Sequence, residues 1–269
     1  MIASAQTAPF RVDWATHERQ WRHRWRPGQH VTIIAPTRWG KTVLARRLLR
    51  VAERGALMIV DCKGDDAELQ IGEVVDHYPS RAEAQRLEDD KRPQIWRLVV
   101  PEYHFGDLAG VAKARLVVGD VMDRCYRDGT ISVKVSSGRP IFGSWRSLPW
   151  TIVLDEATVV TDRQPPALNL SALYREIASR GGGRGVALMS LSQQPAFLPR
   201  AAYDQPSWMY LGRMQDVDRR KRLGEIGGDT RLISATVAEL ALHEFLAICR
   251  ADPDYPLTIV RAPYGHSAA

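Results

Sequence analysis

Predominantly apolar runs of five or six residues alternate along this chain with longer segments whose apolar positions recur every three or four. Residues 31–35, 56–61, 95–100, 150–154 and 186–191 are runs of the first kind. Strands covered on both faces of a parallel sheet read this way. Helical spacing appears at Leu44, Leu48 and Val51, and again at Leu108, Val111, Val118, Met122 and Cys125, before Asp128 and Gly129. Further helices are expected over 167–180 and 232–242. Residues 13–26 predict an amphipathic helix with Trp14, Glu18, Trp21 and Trp25 on one face and Arg19, Arg22, Arg24 and Arg26 largely elsewhere, closed by Pro27 and Gly28. Tryptophans at this spacing suit packing on the core or on a neighbouring subunit better than stacking on bases.

Two stretches leave this rhythm. Residues 131–135 alternate, Ser136, Ser137 and Gly138 turn, and 139–142 return, which predicts a β-hairpin insertion carrying Lys134 and Arg139. Residues 243–249 and 256–260 predict two strands around a turn at 251–254. The stretch 65–90 reads as helix and loop on a solvated face, and 200–222 as a polar segment ending in a basic run. The expected organisation is an N-terminal basic, Trp-rich extension over 1–28, an α/β domain over 29–262 built on a mostly parallel sheet, and a frayed tail over 263–269.

The chemistry concentrates where the first buried run ends. Residues 31–34 lead into Ala35-Pro36-Thr37-Arg38-Trp39-Gly40-Lys41-Thr42, and a helix restarts at Gly40. Strand, tight loop, Gly-Lys-Thr and helix in that order form a phosphate-binding loop, with Ala35 where the pattern usually opens on glycine. Loop N–H groups and the positive helix end would wrap phosphates, Lys41 would reach the β- and γ-phosphates, and Thr42 would bind Mg²⁺. The alternative is an ordinary strand–turn–helix with a surface lysine.

A second signal weighs against that alternative. The run 150–154 ends in two adjacent carboxylates, Asp155 and Glu156, a Walker B pattern some 115 residues after the loop. Asp155 would hold Mg²⁺, and Glu156 would orient and deprotonate an attacking water. The strand after it ends in Ser192-Gln193-Gln194-Pro195, where Gln193 can sense a γ-phosphate. Arg180 and Arg184 precede that strand and suit action across a subunit interface, although each is equally read as a solvated charge at a helix end.

Composition narrows the setting. A chain of 269 residues with 45% hydrophobic and 25% charged residues is that of a globular protein with a sizeable core. No apolar run approaches the roughly 18 residues of a membrane span, and the first ten residues lack signal-peptide character. Three scattered cysteines form no metal-ligand spacing and fit reduced thiols, so a cytoplasmic location is expected. Within a net charge of +6, residues 1–54 carry eleven Lys/Arg against three Asp/Glu, while 61–90 carry ten Asp/Glu against three Lys/Arg. A basic head suits a polyanion such as nucleic acid, or simply a solubilising surface.

Taken together, residues 35–42, Asp61-Cys62-Lys63-Gly64, Leu154-Asp155-Glu156 and the stretch 185–195 resemble the HerA/FtsK superfamily of P-loop ATPases. Cys62 stands where the superfamily's D-P-K-G signature has proline. Ser192 and Gln194 replace the threonine and arginine of its strand-end motif, and Gly182 occupies the usual place of the trans-acting arginine, with Arg180 and Arg184 flanking it. The resemblance implies a RecA-like ASCE P-loop NTPase, a three-layer sandwich with the 31–35 strand central and beside the 186–192 strand. It also implies ATP and Mg²⁺ as cofactors, a homo-oligomeric, usually hexameric, ring and double-stranded DNA as partner. Among superfamily members the compact core is most similar to the short viral and phage DNA-packaging ATPases, which implies a portal, capsid or transfer-machinery protein as a further partner. An ATPase energising conjugation or secretion through protein partners is the alternative. A P-loop kinase or nucleotide switch, which has no need of Glu156, is a more distant one.

Overall fold

The computed structural model describes residues 8–51, 55–62, 67–100, 106–129, 149–162, 167–226, 228–252 and 254–263. In chain order its elements are β1 (Phe10–Val12), α1 (Trp14–Arg24), β2 (Val31–Ile34), α2 (Lys41–Val51), β3 (Ala56–Asp61), β4 (Glu73–Val75), α3 (Arg81–Asp89), β5 (Ile95–Val99), α4 (Leu108–Asp128), β6 (Trp150–Leu154), α5 (Ala157–Thr161), α6 (Ser171–Arg180), β7 (Val186–Ser192), α7 (Ala201–Asp204), β8 (Trp208–Leu211), α8 (Val217–Lys221), α9 (Thr230–Glu239), β9 (Glu244–Cys249) and β10 (Thr258–Arg261). The expected hairpin with Lys134 and Arg139, the loop residues Lys63 and Gly64, and the tail from 264 lie outside the described residues.

All the strands join one ten-stranded sheet in the order β1-β10-β9-β8-β2-β7-β6-β3-β5-β4. Every described pairing is parallel except the two made by β9. β2 is central and paired with β7, as the motif resemblance implies. β2, β3, β6, β7 and β8 are buried along their whole length, the result of helices covering both faces. The connection from β2 to β3 runs one way along the sheet, and those from β5 to β6, β6 to β7 and β7 to β8 run the other. Right-handed crossovers therefore put α2 on one face and α4, α6 and α7 on the other. Contacts agree: α1 packs on α2, whereas α6 packs on α4 and α7. The fold is a three-layer α/β sandwich.

The structure differs from the sequence expectations at three places. Within the stretch expected as helix and loop, Glu73–Val75 forms the edge strand β4 before α3. α3 itself is opened by a capping box between Ser80 and Glu83. Within the polar stretch 200–222, Trp208-Met209-Tyr210-Leu211 is a fully buried strand beside β2. Only four residues long and bounded by Pro206 and Gly212, it is too short to show a period. Phe10–Val12 adds an edge strand by pairing with β10, so the N-terminal segment contributes to the same sheet.

α1 is packed, not displayed. Trp21 stacks on Trp25 at 5.9 Å and meets Trp208 edge-on at 5.0 Å, and its Nε1 donates to the Leu48 carbonyl of α2. Asp13 caps the helix by accepting from the Thr16 N–H. Arg22 pairs with Glu18, and Arg24 pairs with Asp252 while lying over the Tyr255 ring, so part of this basic cluster is neutralised within the chain. No helix of the described residues is long and apolar enough to cross a membrane.

Two buried histidines pin the layers. His17 bonds to the hydroxyls of Tyr210 and Tyr255, and His30 Nδ1 accepts from the Leu188 N–H of β7. Burial lowers both pKa values from 6.5 to about 4. Between those values the unfolded chain binds the protons and the folded chain does not. Stability is therefore complete above pH 6.5 and falls as pH drops towards 4, by on the order of 3 kcal/mol per histidine. The urea midpoint should hold from pH 7.5 to about pH 6.5 and decrease from there to pH 5, and a constant midpoint over the whole range would contradict the buried neutral histidines.

Candidate functional site

In a parallel sheet, strand register decides which side chains meet at an edge. Ile34 of β2 lies opposite Ser192 of β7, and Leu154 of β6 lies opposite Ser190. β6 ends two residues lower than β7, so the same register brings Glu156 level with Ser192 and Ile34, and the phosphate loop from Ala35, Gln193 and the Asp155-Glu156 pair emerge at one edge of three adjacent strands. Neighbouring strands are about 4.8 Å apart, so β2 and β6, flanking β7, are separated by roughly 10 Å. The carboxyl edge of an open α/β sheet is where such folds bind ligands.

The loop is drawn tight by its own backbone. Trp39 N–H donates to the Pro36 carbonyl, and Leu44 N–H to Gly40 at the start of α2. Arg38 and Gly40 have φ of 61° and 93°. Left-handed residues among right-handed ones aim successive N–H groups at one point, an anion-binding nest. For the arginine this conformation costs on the order of 1 kcal/mol, so its surroundings must impose it. Lys41 is 7% exposed, and its Nζ donates to the Pro36 carbonyl at 3.0 Å, which holds a buried ammonium inside the curl. Thr42 follows as the second residue of α2.

The loop also touches its neighbours. Thr37 Oγ1 donates to Gln193 Oε1 at 2.7 Å, so Gln193 reaches the phosphate loop directly. The turn behind it is fixed by Ser192 Oγ, which accepts from the Gln194 N–H and donates to the Gln194 carbonyl. Asp155 is buried at the tip of β6, and Glu156 accepts from Thr158 Oγ1 at 2.7 Å. Asp61, at the tip of β3, is held by Arg97 of β5 at 3.0 Å.

Arg180 and Arg184 stand elsewhere. Both precede β7, at its amino-terminal end, and the seven residues of β7 put roughly 20 Å between them and the phosphate loop of the same chain. Both are exposed. Arg180 pairs with Glu176 at 3.7 Å, and Arg184 lies 4.8 Å from the Tyr126 ring centroid.

Several residues that brace the loop were not found from the sequence. Trp39 is clamped from β9: its Nε1 donates to the Glu244 carbonyl at 2.8 Å, and His243 Nδ1 bonds to its carbonyl at 3.0 Å. Arg11 of β1 in turn pairs with Glu244. Gly212, directly after β8, donates its N–H to the Ile34 carbonyl at 2.8 Å. A Cβ on Gly212 would lie 2.4 Å from the Ala35 Cβ and 2.7 Å from the Trp39 ring. Ala35 therefore replaces the usual first glycine at a point where Gly212 has given up its own side chain. The nearest sequence signal was the apolar quartet just before Gly212.

No family model matches the chain, and no curated protein matches it. Solved structures do. The DNA-packaging ATPase B204 from Sulfolobus Turreted Icosahedral Virus aligns over 84% of this chain and 94% of its own, with 15% identity and a TM-score of 0.52. The pCW3 conjugation coupling protein TcpA aligns over 87% of this chain, with 16% identity and a TM-score of 0.53. The type VII secretion ATPase EccC from Thermomonospora curvata aligns over 90%, with 18% identity and a TM-score of 0.53. The match spans 60% of the TcpA chain and 26% of the EccC chain. At these identities the likeness shows the fold, an α/β P-loop NTPase, and it is consistent with the superfamily resemblance drawn from the motifs.

The Ala35–Gly212 contact gives a direct check. Gly212→Ala should overpack the loop and destabilise the protein by about 1–3 kcal/mol, the usual range for an added core methyl. Adding Ala35→Gly should recover part of that loss, because the Trp39 ring still crowds the new methyl. Thermal melting of the two single variants and the double variant measures it, and strictly additive shifts would contradict the contact.

Proposed function

We propose that this protein is an ATP-hydrolysing motor that moves double-stranded DNA as a homo-oligomeric ring, with packaging or transfer of DNA as its task. The observation that carries the reading is the single sheet edge at which the phosphate loop, Gln193 and the Asp155-Glu156 pair leave three adjacent strands, with Glu156 level with Ile34 and Ser192. Nucleotide binding alone needs the first of these. Hydrolysis needs all three.

The residues present fit ATP and Mg²⁺. A nest with a buried ammonium suits the β- and γ-phosphates. The Thr42 hydroxyl and the buried Asp155 carboxylate are hard oxygen donors of the kind a Mg²⁺ site uses beside substrate phosphates. Thr42 and Asp155 would hold Mg²⁺ there, and the bound ion would supply positive charge against the phosphates. Lys41 neutralises the terminal phosphates and Gln193 reports on the γ-phosphate. Glu156 orients the attacking water and takes its proton. Arg180 or Arg184, remote from the phosphate loop of its own chain, serves the site of the next subunit. Lys134 and Arg139 are proposed as DNA contacts on sequence grounds. The likeness to a secretion ATPase favours a second reading, in which the ring engages a protein instead.

Turnover measured with and without duplex DNA tests the proposal. Wild-type hydrolysis should be stimulated by DNA. Glu156→Gln should keep ATP binding and lose turnover by a factor on the order of a hundred, the scale of a lost general base. Near-wild-type turnover in that variant would remove Glu156 from the mechanism. Hydrolysis indifferent to DNA would favour the protein-partner reading.

A further inference from the structure

A nucleotide seated on the phosphate loop has a direction. The proposed hydrolytic groups Gln193, Asp155 and Glu156 all lie on the β7 and β6 side of β2, so the γ-phosphate points that way. The nucleoside must then leave on the other side of β2, towards β8. A cavity of about 330 Å³ lies there. One wall is the loop itself, through Pro36 and Trp39. The facing wall is the segment after β8, through Arg213, Met214, Gln215 and Asp216. Gln193 and Pro195 join the cavity to the phosphate end. It is large enough for a base with its sugar.

The segment facing the loop is built rather than loose. Gly212 is pressed onto Ala35 and Trp39. Met214 N–H donates to the Val237 carbonyl at 3.0 Å, and Arg220 Nη1 donates to the Met214 and Gln215 carbonyls at 2.8 Å each. Asp216 Oδ1 accepts from the Asp218 N–H. Amid these anchored residues, Arg213 is half-buried and lines the cavity. Among the described residues lining the cavity Arg213 is the only cation, so its guanidinium is the strongest side-chain donor there for a ligand acceptor.

We infer that the cavity between the phosphate loop and residues 213–216 is the nucleoside half of the site, with Arg213 donating to the nucleoside and the ring packed between Pro36, Trp39 and Met214. The inference rests on the ATP-binding reading above and adds what that reading leaves open, namely which residues hold the base and sugar. Arginine suits the task because its planar fork both donates and stacks on a flat ring.

Calorimetric titration of the full chain with ATP and with inorganic tripolyphosphate separates the two halves. Arg213→Ala should weaken ATP binding about tenfold or more, the scale of a lost charge-assisted hydrogen bond, and leave tripolyphosphate binding unchanged. Met214→Trp, which narrows the cavity and leaves Arg213 in the sequence, should likewise cost ATP affinity and spare tripolyphosphate. Lys41→Ala should weaken both ligands. Undiminished ATP affinity in Arg213→Ala and Met214→Trp would overturn the inference while leaving the ATPase reading intact. An equal loss for ATP and tripolyphosphate would overturn it too, by making Arg213 a phosphate ligand. Absence of Lys41-dependent binding of either ligand to the wild-type chain would overturn both readings together.

Discussion

The shared register of β2, β7 and β6 is the constraint on which the site depends. Ile34 opposite Ser192, and Leu154 opposite Ser190, bring three chain segments far apart in sequence to one edge, with Glu156 level with Ile34 and Ser192. A slip of one residue in either pairing would turn every side chain of a strand to the opposite face. These strands are buried on both faces, so such a slip would also disrupt their packing. The same burial that makes the strands legible as apolar runs thus fixes the distance between Lys41 and Glu156. Stability and site geometry are two consequences of one arrangement.

The phosphate loop adds a local cost that its surroundings must meet. Arg38 sits in a left-handed conformation and Lys41 is buried, and neither state is favourable in isolation. The compensation comes from residues distant in sequence. Trp39 is gripped by His243 and Glu244, and Glu244 by Arg11 of the first strand. Gly212 closes the other side. The antiparallel β9 and the edge strand β1 therefore have a purpose beyond widening the sheet, since through them the ends of the chain hold the loop in shape. α1 serves the same body, its tryptophans wedged against β8 and α2.

Much of this was legible in the residues. The parallel core followed from continuous apolar runs, and the phosphate loop and the Asp155-Glu156 pair from short motifs whose spacing has a mechanical reason. β8 was missed because four residues cannot display a period, although two are large aromatics. β4 was missed because an edge strand of three residues in an acidic segment is too short to show a period. Gly212, Arg213 and His243 belong to the site through three-dimensional contact alone, and no local pattern identifies them. Arg180 and Arg184 stand at the far end of β7, roughly 20 Å from the phosphate loop of their own chain.

The central claim is that residues 36–42 form a preshaped anion cradle that takes the phosphates of ATP. Hydrogen–deuterium exchange of the loop amides, with and without ATP and Mg²⁺, tests it most directly, because it reads the proposed donors themselves. The account predicts slowed exchange in peptides covering 36–42 and 192–194, which Lys41→Ala abolishes. Unchanged exchange across 36–42 at saturating ATP would contradict it.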